Sequence, residues 1–448
     1  MGVRLSPQRY KAALDFLFAR TTGQWRLGLE RVEEFLGEIG NPHHRLRCLH
    51  IAGTNGKGSV CASLEAVLRA RGLRVGKYTS PHLVDFRERF LIDGKPVAEE
   101  AIVDFLGRWT PTVERVGATF FEATTAMAFQ IFADAEVDIA VIETGLGGRL
   151  DATNVVRPLV AGVVGIAIDH TEYLGATREE IAPEKAGIFK RGVPAVVGEA
   201  DPGIKAILAS EAVRLGADPI RIVADEGRAA DVVVGGQGTS FTWVRERPAA
   251  PEAFLAGVAG GSATHNLPVT TGLPGRHQAT NAMVALTMLD SLPEPWRVRP
   301  EEAAPLLANV QLPGRFSRHG AWLFDVAHNP DGAAVTALTL QATRPQGPVC
   351  ALVSVLGDKD WRGMLRALSG TVDHFVLTDA PTAPASRAWT GTEALEFARA
   401  QGWSAELEPD FDAALKLAPT RGSTVLVTGS FHTVGDAMAR LEVSPTAG

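Results

Sequence analysis

The chain has 448 residues, of which 46% are hydrophobic and 21% charged, with a formal net charge of -7. That length is enough for two or three domains, and the acidic balance excludes a surface built for non-specific nucleic-acid binding, which needs a broad basic footprint. Three widely separated cysteines, Cys48, Cys61 and Cys350, form no Cys-x-x-Cys pair, which argues against a disulfide framework or a zinc site and for a reducing cytoplasm.

The N-terminal stretch lacks an uninterrupted apolar core of signal-peptide length, and no apolar run is long enough to span a bilayer, so no membrane partner is expected. "MGVRLS" fits only the loose myristoylation pattern. From residue 46 to about 200, short apolar runs alternate with helical patterns, as in βαβ units around a parallel sheet. "RLRCLHIAG" reads as the first strand and its turn. Val60, Leu64, Val67 and Leu68 then recur at helical spacing as far as Gly72, a C-terminal cap.

Further along, Phe121, Thr125, Ala128, Phe129 and Phe132 mark one helix face, followed by strands at "DIAVIE" and "LVAGVVGIAI" that end in Glu143 and in Asp169-His170. In open α/β sheets, ligands collect at such carboxyl ends. Residues 229 to 275 alternate differently and predict a small antiparallel excursion before a helix at "HQATNAMVALTMLD". The proline-rich "SLPEPWRVRP" marks a boundary, beyond which "AWLFDVA", "DGAAVTALTLQ", "PVCALVSVLG", "HFVLTD" and "TVLVTGS" predict a second, smaller Rossmann-like unit. The expected fold is therefore α/β. A larger domain at 1–295, with a mainly parallel sheet plus the antiparallel excursion, precedes a smaller Rossmann-like domain at 296–448.

"HIAGTNGKGS" at 50–59 places a glycine-rich turn between strand and helix, where backbone N–H groups, the helix dipole and a lysine converge on phosphate oxygens. Gly53, Gly56 and Gly58 permit close approach, Lys57 reaches the β- and γ-phosphates, and Ser59 offers a hydroxyl to Mg²⁺. Its spacing departs from the usual pattern, because Gly58 separates Lys57 from Ser59. "ETGLGGRLDATN" at 143–154 lacks the third glycine of a dinucleotide fingerprint, and Glu143 is better read as a carboxylate holding Mg²⁺ directly or through water. Taken alone, His170 reads as a structural histidine and Lys185 as a solvated helix lysine.

Seven separated motifs appear in order: "HIAGTNGKGS", "TSPHL" at 79–83, "ETGLGGRLDATNV", "DH" at 169–170, "EKAGIFK" at 184–190, "LPGRF" at 312–316 and "DVAHNP" at 325–330. Together they resemble the folylpolyglutamate synthases and bifunctional dihydrofolate synthases of the Mur ligase superfamily, over nearly the whole chain. The resemblance implies a ligase that uses ATP to activate a folate or dihydropteroate carboxylate as an acyl phosphate, which L-glutamate then attacks.

Carried over by position, Thr54, Asn55, Gly56, Lys57, Gly58 and Ser59 would cradle the triphosphate, with Asn281 near the adenine and Arg315 and Asp325 reaching the nucleotide. Two Mg²⁺ sites are implied near Ser59, Ser80, Glu143 and His170. The lysine matching Lys185 is carbamylated in relatives, which would let it bind the second ion, and the resemblance also admits a monovalent cation. Lys57, His170, Lys185 and His328 are the expected catalytic set, with His328 on the glutamate or transition-state side. The pterin-bearing substrate is expected at Leu27, Gly28, Leu29 and Glu30, at Pro81 and His82, at Thr119, Phe120, Phe121 and Glu122, and at Leu150, Asp151 and Ala152. Phe120 or Phe121 offers a ring for stacking. Thr144 stands where many relatives carry valine, and the short Arg315-to-Asp325 segment implies a trimmed hairpin. A monomer is implied. The rival readings are a peptidoglycan Mur ligase, whose extra N-terminal domain is not found, and a P-loop nucleotide switch.

Overall fold

A computed structural model describes residues 7–21, 28–247 and 263–443, which group into two compact units. The first comprises residues 1–80, 89–227 and 283–306, and the second residues 81–88, 228–282 and 307–448. Neither unit is a single stretch of chain.

The first unit is built on eight strands. They are β1 (Cys48–Ala52), β2 (Val75–Tyr78), β3 (Phe90–Ile92), β4 (Lys95–Pro96), β5 (Ile139–Glu143), β6 (Val160–Val163), β7 (Ala195–Val197) and β8 (Ile220–Ile222). Their order is β4-β3-β2-β5-β1-β6-β7-β8, with β3 antiparallel to both β2 and β4 and every other neighbouring pair parallel. β1, β5 and β6 are buried along their whole length, as expected where helices cover both faces of a parallel sheet. Ile51 lies beside Glu143 on one side and Gly162 on the other, so β1, β5 and β6 end level with one another. The loops that follow them emerge at one sheet edge.

Two helices of this unit matter for the site. Lys57–Ala70 begins from Gly56 in the left-handed region, at φ 94°, and Arg71 and Gly72 (φ 82°) end it. Phe120–Asp134 starts with a capping box, in which the Thr119 hydroxyl accepts from the Glu122 N–H and the Glu122 carboxylate accepts from the Thr119 N–H. Most of this helix is buried, because Ala, Thr, Met and Phe leave it no polar face.

In the second unit, β9 (Gly227–Gly235), β10 (Gly238–Arg247) and β11 (Ala263–Thr271) form the expected antiparallel excursion in the order β11-β10-β9. Six further strands, β12 (Ser317–His319), β13 (Trp322–Phe324), β14 (Val349–Val353), β15 (His374–Leu377), β16 (Ala405–Leu407) and β17 (Thr424–Thr428), form a sheet in the order β12-β13-β17-β14-β15-β16. Alternate residues of the central strands feed two cores. Ala351, Val353, Phe375 and Leu377 pack with Met364 and Leu365, while Leu352, Val376 and Val427 pack with Phe411 and Met438. The hairpin after Arg315 is short, since β12 and β13 pair antiparallel with only Gly320 and Ala321 between His319 and Trp322.

All three cysteines are buried free thiols, and burial pushes Cys48 and Cys350 up to about 12. No described helix is long and apolar enough to cross a membrane.

One buried ion pair of the first unit joins Lys77 on β2 to Glu65 on the helix after the loop, both less than a tenth exposed. Removing the lysine leaves buried Glu65 with only the half-exposed Arg69 guanidinium at 4.0 Å, so Lys77→Met is expected to cost about 3 kcal/mol in urea unfolding. The double variant Lys77→Met/Glu65→Leu should recover most of that loss. Additive costs would mean that the two charges do not compensate each other.

Candidate functional site

The turn after β1 is shaped by backbone conformation before any side chain acts. Gly53 has φ 149°, and a Cβ there would stand 2.2 Å from Val164 Cγ2, so only glycine lets the turn lie against the strand end of β6. Thr54 N–H donates to the Gly165 carbonyl at 2.9 Å, and the Thr54 hydroxyl donates to the Ala167 carbonyl at 3.0 Å. Asn55 pairs with Gly165 in an isolated bridge. The turn is thereby tied to the segment leading to Asp169 and His170.

Two lysines converge on this turn. Lys57 Nζ donates to the carbonyls of Gly53 at 3.0 Å and Thr54 at 3.3 Å. Lys185 Nζ donates to the same Gly53 carbonyl at 2.9 Å. Neither lysine forms an ion pair among the described residues. Lys185 is 5% exposed, and its burial, reinforced by the Lys57 charge and opposed by Asp169 and Asp151, lowers it to about 7. A neutral amine is therefore accessible there near physiological pH.

Four more expected metal-site residues, Ser59, Ser80, Glu143 and His170, lie in this unit. Ser59 is buried in the first turn of the helix. Glu143 is buried at the end of β5, and its Oε2 accepts from the Ser80 N–H at 3.4 Å. His170 sits at φ 51° with its N–H on Asp169 Oδ1 at 2.8 Å, and its Nε2 lies 3.8 Å from Asp169 Oδ2. Among the described residues, no cluster of three or more His, Cys, Asp or Glu could hold a metal. The set at hand suits a hard cation that takes hydroxyl, carboxylate, phosphate and water oxygens, as Mg²⁺ does with a nucleotide.

The loop after Glu143 is packed without clearance. Thr144, 1% exposed, continues the ladder by donating its N–H to Ile51 at 3.0 Å, and its hydroxyl has no hydrogen-bond partner among the described residues. A Cβ on Gly145 would lie 2.4 Å from Phe121 Cζ, and one on Gly148 would lie 2.7 Å from the Lys185 carbonyl oxygen. Asp151 accepts from the Gly145 and Leu146 N–H groups on Oδ2, at 2.9 and 2.8 Å, and from the Thr153 N–H and hydroxyl on Oδ1. Asp151 thus braces the loop, while Leu150 and Ala152 flank it.

Around the expected pterin positions, Phe120 stacks on Phe18 with centroids 5.6 Å apart and lies under the Arg89 guanidinium, whereas Phe121 lies against Tyr78 at 6.0 Å. Glu122 is 3% exposed and paired with Arg31 at 2.9 Å besides its capping role. Glu30 opens a helix that begins after Gly28 and Leu29, and Leu27 lies outside the described residues.

The second unit holds the remaining expected residues. Pro81 and His82 precede a tight turn in which the Glu88 carboxylate accepts the N–H groups of Leu83, Val84 and Asp85. Asn281 donates to Gln278 Oε1 at 2.9 Å on the helix His277–Asp290, both side chains buried. Arg315 stands over the Phe431 ring at 5.6 Å, and His328 lies against the same ring at 5.7 Å. Asp325 accepts from the Phe316 and Ala327 N–H groups and from the Thr336 hydroxyl. His328 Nδ1 is 2.9 Å from the Val326 carbonyl, which requires the proton on Nδ1 and makes Nε2 the acceptor of the neutral ring.

Sequence reasoning missed the residues that hold these loops. Arg178 donates to the Ile166 carbonyl and pairs with Glu199, whose Oε2 accepts the Ile166 N–H. His50 meets Thr153 across 103 residues. The Thr-x-x-Glu patterns at 119–122 and 177–180 did carry a local signal for capping, whereas the long-range pairs carried none.

Comparison with known proteins agrees along the chain. The family model described as Mur ligase middle domain matches residues 51–289, and that described as Mur ligase, glutamate ligase domain matches residues 314–431. The chain is 35% identical to the dihydrofolate synthase/folylpolyglutamate synthase of Escherichia coli strain K12, over 94% of this chain and 93% of that protein. A Mycobacterium tuberculosis folylpolyglutamate synthase complexed with ADP and AMPPCP superposes with TM-score 0.84 and 32% identity, covering 97% of this chain and all of that one. A Yersinia pestis bifunctional folylpolyglutamate synthase/dihydrofolate synthase with Mn, AMPPNP and L-glutamate bound gives TM-score 0.76 and 33% identity, covering 96% and 98%.

The lowered Lys185 ammonium has a measurable consequence. Between about 7 and the ordinary 10.5, the unfolded chain carries more protons on this group than the folded one, so its contribution to stability rises with pH across that window. Lys185→Met removes the rise. Relative to that variant, the wild type is expected to gain up to about 1.4 kcal/mol per pH unit in bicarbonate-free, metal-free urea unfolding. Parallel stability curves would show Lys185 titrating as an exposed lysine.

Proposed function

From the premise that this chain belongs to the Mur ligase family, among the folylpolyglutamate and dihydrofolate synthases, we propose how its own residues carry out the ligation. The enzyme is an ATP-dependent ligase that joins L-glutamate to a folate or dihydropteroate carboxylate. The observation that carries the residue assignment is the convergence of Lys57 and Lys185 on the Gly53 carbonyl, with no carboxylate paired to either among the described residues. Neutral carbonyls are weaker acceptors for an ammonium than phosphate oxygens, so the turn favours an arriving triphosphate.

A carboxylate and an amine merely form a salt, so the carboxylate must first gain a leaving group. Its oxygen attacks the γ-phosphorus, ADP leaves, and the acyl phosphate forms. The glutamate nitrogen then attacks the acyl carbon, a proton is lost from nitrogen, and phosphate departs with the original carboxylate oxygen. Lys57 neutralises charge on the transferred phosphoryl group, and residues 54–59 hold the triphosphate with the helix dipole behind them. Arg315 presents a planar donor fork to phosphate, Asn281 contacts the adenine, Asp325 holds the turn that carries Arg315, and His328 offers Nε2 on the glutamate side.

Ser59, Ser80, Glu143 and His170 would hold Mg²⁺, which supplies charge neutralisation at the phosphates. A carbamate on Lys185 would add a carboxylate-like ligand for a second Mg²⁺, and the lowered ammonium supports this because only the neutral amine reacts with carbon dioxide. Gly28 to Glu30, Pro81, His82, Thr119 to Glu122 and Leu150 to Ala152 are assigned to the pterin-bearing substrate. Phe121 or Phe120 contributes the stacking face. Domains at 1–295 and 296–448, a monovalent cation, a monomeric state and a cytoplasmic setting complete the proposal.

Lys57→Ala is expected to lower kcat at least about 100-fold while leaving the melting temperature nearly unchanged, as for loss of one charge-stabilising donor. An unchanged kcat would remove Lys57 from phosphoryl transfer. Labelled glutamate incorporation with dihydropteroate and tetrahydrofolate as separate acceptors is expected to succeed with both, and failure of one acceptor would restrict the enzyme to the other reaction.

A further inference from the structure

His50 lies inside β1, fully buried, between Ile142 of β5 and Ala161 of β6. A histidine in the middle of a central parallel strand needs a reason, because its neighbours could be satisfied by an aliphatic side chain at lower desolvation cost. Its Nε2 lies 2.8 Å from Thr153 Oγ1, and Thr153 Oγ1 lies 2.5 Å from Asp151 Oδ1.

Proton counting sets the direction of this chain. Asp151 receives three backbone N–H groups, from Gly145, Leu146 and Thr153, and these can only donate. Burial raises the Asp151 carboxyl, while the three N–H groups and the Thr153 hydroxyl favour its charged form; as the carboxylate it takes the single proton of the Thr153 hydroxyl on Oδ1. The hydroxyl then accepts from His50, which must carry its proton on Nε2. His50 Nδ1 has no hydrogen-bond partner among the described residues, so a second ring proton would be stranded in the core. Burial and the nearby Lys190 charge hold the ring neutral, lowered to about 3. The same short turn is clamped on its other side, where Lys190 donates to the Asn154 carbonyl and Asn154 donates to the Arg149 and Gly187 carbonyls.

Resting on the ligase reading above, we propose that His50 is a positioning residue for the reaction: it donates to Thr153, Thr153 donates to Asp151, and the carboxylate thereby fixes the Gly145–Leu146 turn after Glu143. The functional consequence follows from the clearances. Gly145 abuts the Phe121 ring, so a turn released by loss of the relay presses on the pterin-stacking face. Neither His50 nor Thr153 needs to touch substrate.

The full-length wild-type enzyme is assayed first with tetrahydrofolate, ATP and L-glutamate. Absence of turnover there would count against the ligase reading itself, not against the relay. His50→Leu and Thr153→Val, which remove one donor each, are then expected to raise the KM for tetrahydrofolate about tenfold while the KM for ATP stays within about twofold. The double variant should be no worse than the poorer single one, since either break interrupts the same chain. His50→Gln, which retains an N–H donor, and Thr153→Ser, which retains the hydroxyl, are expected to restore the KM. Should His50→Leu fail to fold, the nearly isosteric Thr153→Val and its serine counterpart decide the question. Lowered melting temperatures with an unchanged KM for tetrahydrofolate, or additive losses in the double variant, would overturn the proposal.

Discussion

Two lysine Nζ atoms share one carbonyl oxygen, that of Gly53, and much of the first unit is arranged to make this possible. The contact requires a residue without a side chain at Gly53, since Val164 occupies the place of a Cβ. It requires a helix that starts at once, so that Lys57 curls back over its own turn. It also requires Lys185 to reach in from a helix more than a hundred residues away, next to a loop whose glycines leave that helix room. The half-buried Lys57 charge beside buried Lys185 is unfavourable and helps lower the Lys185 ammonium. The arrangement is relieved by an anion, and a triphosphate with its metal is the anion that the surrounding oxygen donors also suit.

The features legible in the sequence were those written in local order. The strand at Cys48–Ala52, the glycine turn, the helices over 57–70 and 277–290 and the parallel alternation follow from short-range periodicity and turn chemistry. The antiparallel excursion was legible for the same reason, from alternation in "TSFTWVR". The edge strands β4, β12 and β16 were not, because two or three partly exposed residues carry little pattern. The compact units interleave, with residues 81–88 and 228–282 grouped with the C-terminal part, and no composition shift announces such a return of the chain.

The candidate site divides similarly. Lys57 and Ser59 are signalled by the glycine spacing, while Lys185 looks like any helix lysine until burial and the Gly53 carbonyl are seen. Thr119, Glu122 and Asp151 were read as substrate positions, and in the fold each also serves the structure itself. Thr119 and Glu122 close a capping box, Glu122 pairs with Arg31, and Asp151 braces a loop. His50, Arg178 and Glu199 went unread because their partners are distant in sequence. What a sequence displays least is the layer of residues that holds functional loops in place, since those residues follow no spacing rule.

The acyl phosphate proposed to form at this turn is the step on which the proposed roles of the lysines and the metal rest, and oxygen transfer tests it most directly. Folate acceptor labelled with ¹⁸O in the reacting carboxylate, incubated with ATP, L-glutamate and enzyme, is expected to yield inorganic phosphate carrying one ¹⁸O atom per amide bond formed. Phosphate free of ¹⁸O, with amide formation intact, would contradict it.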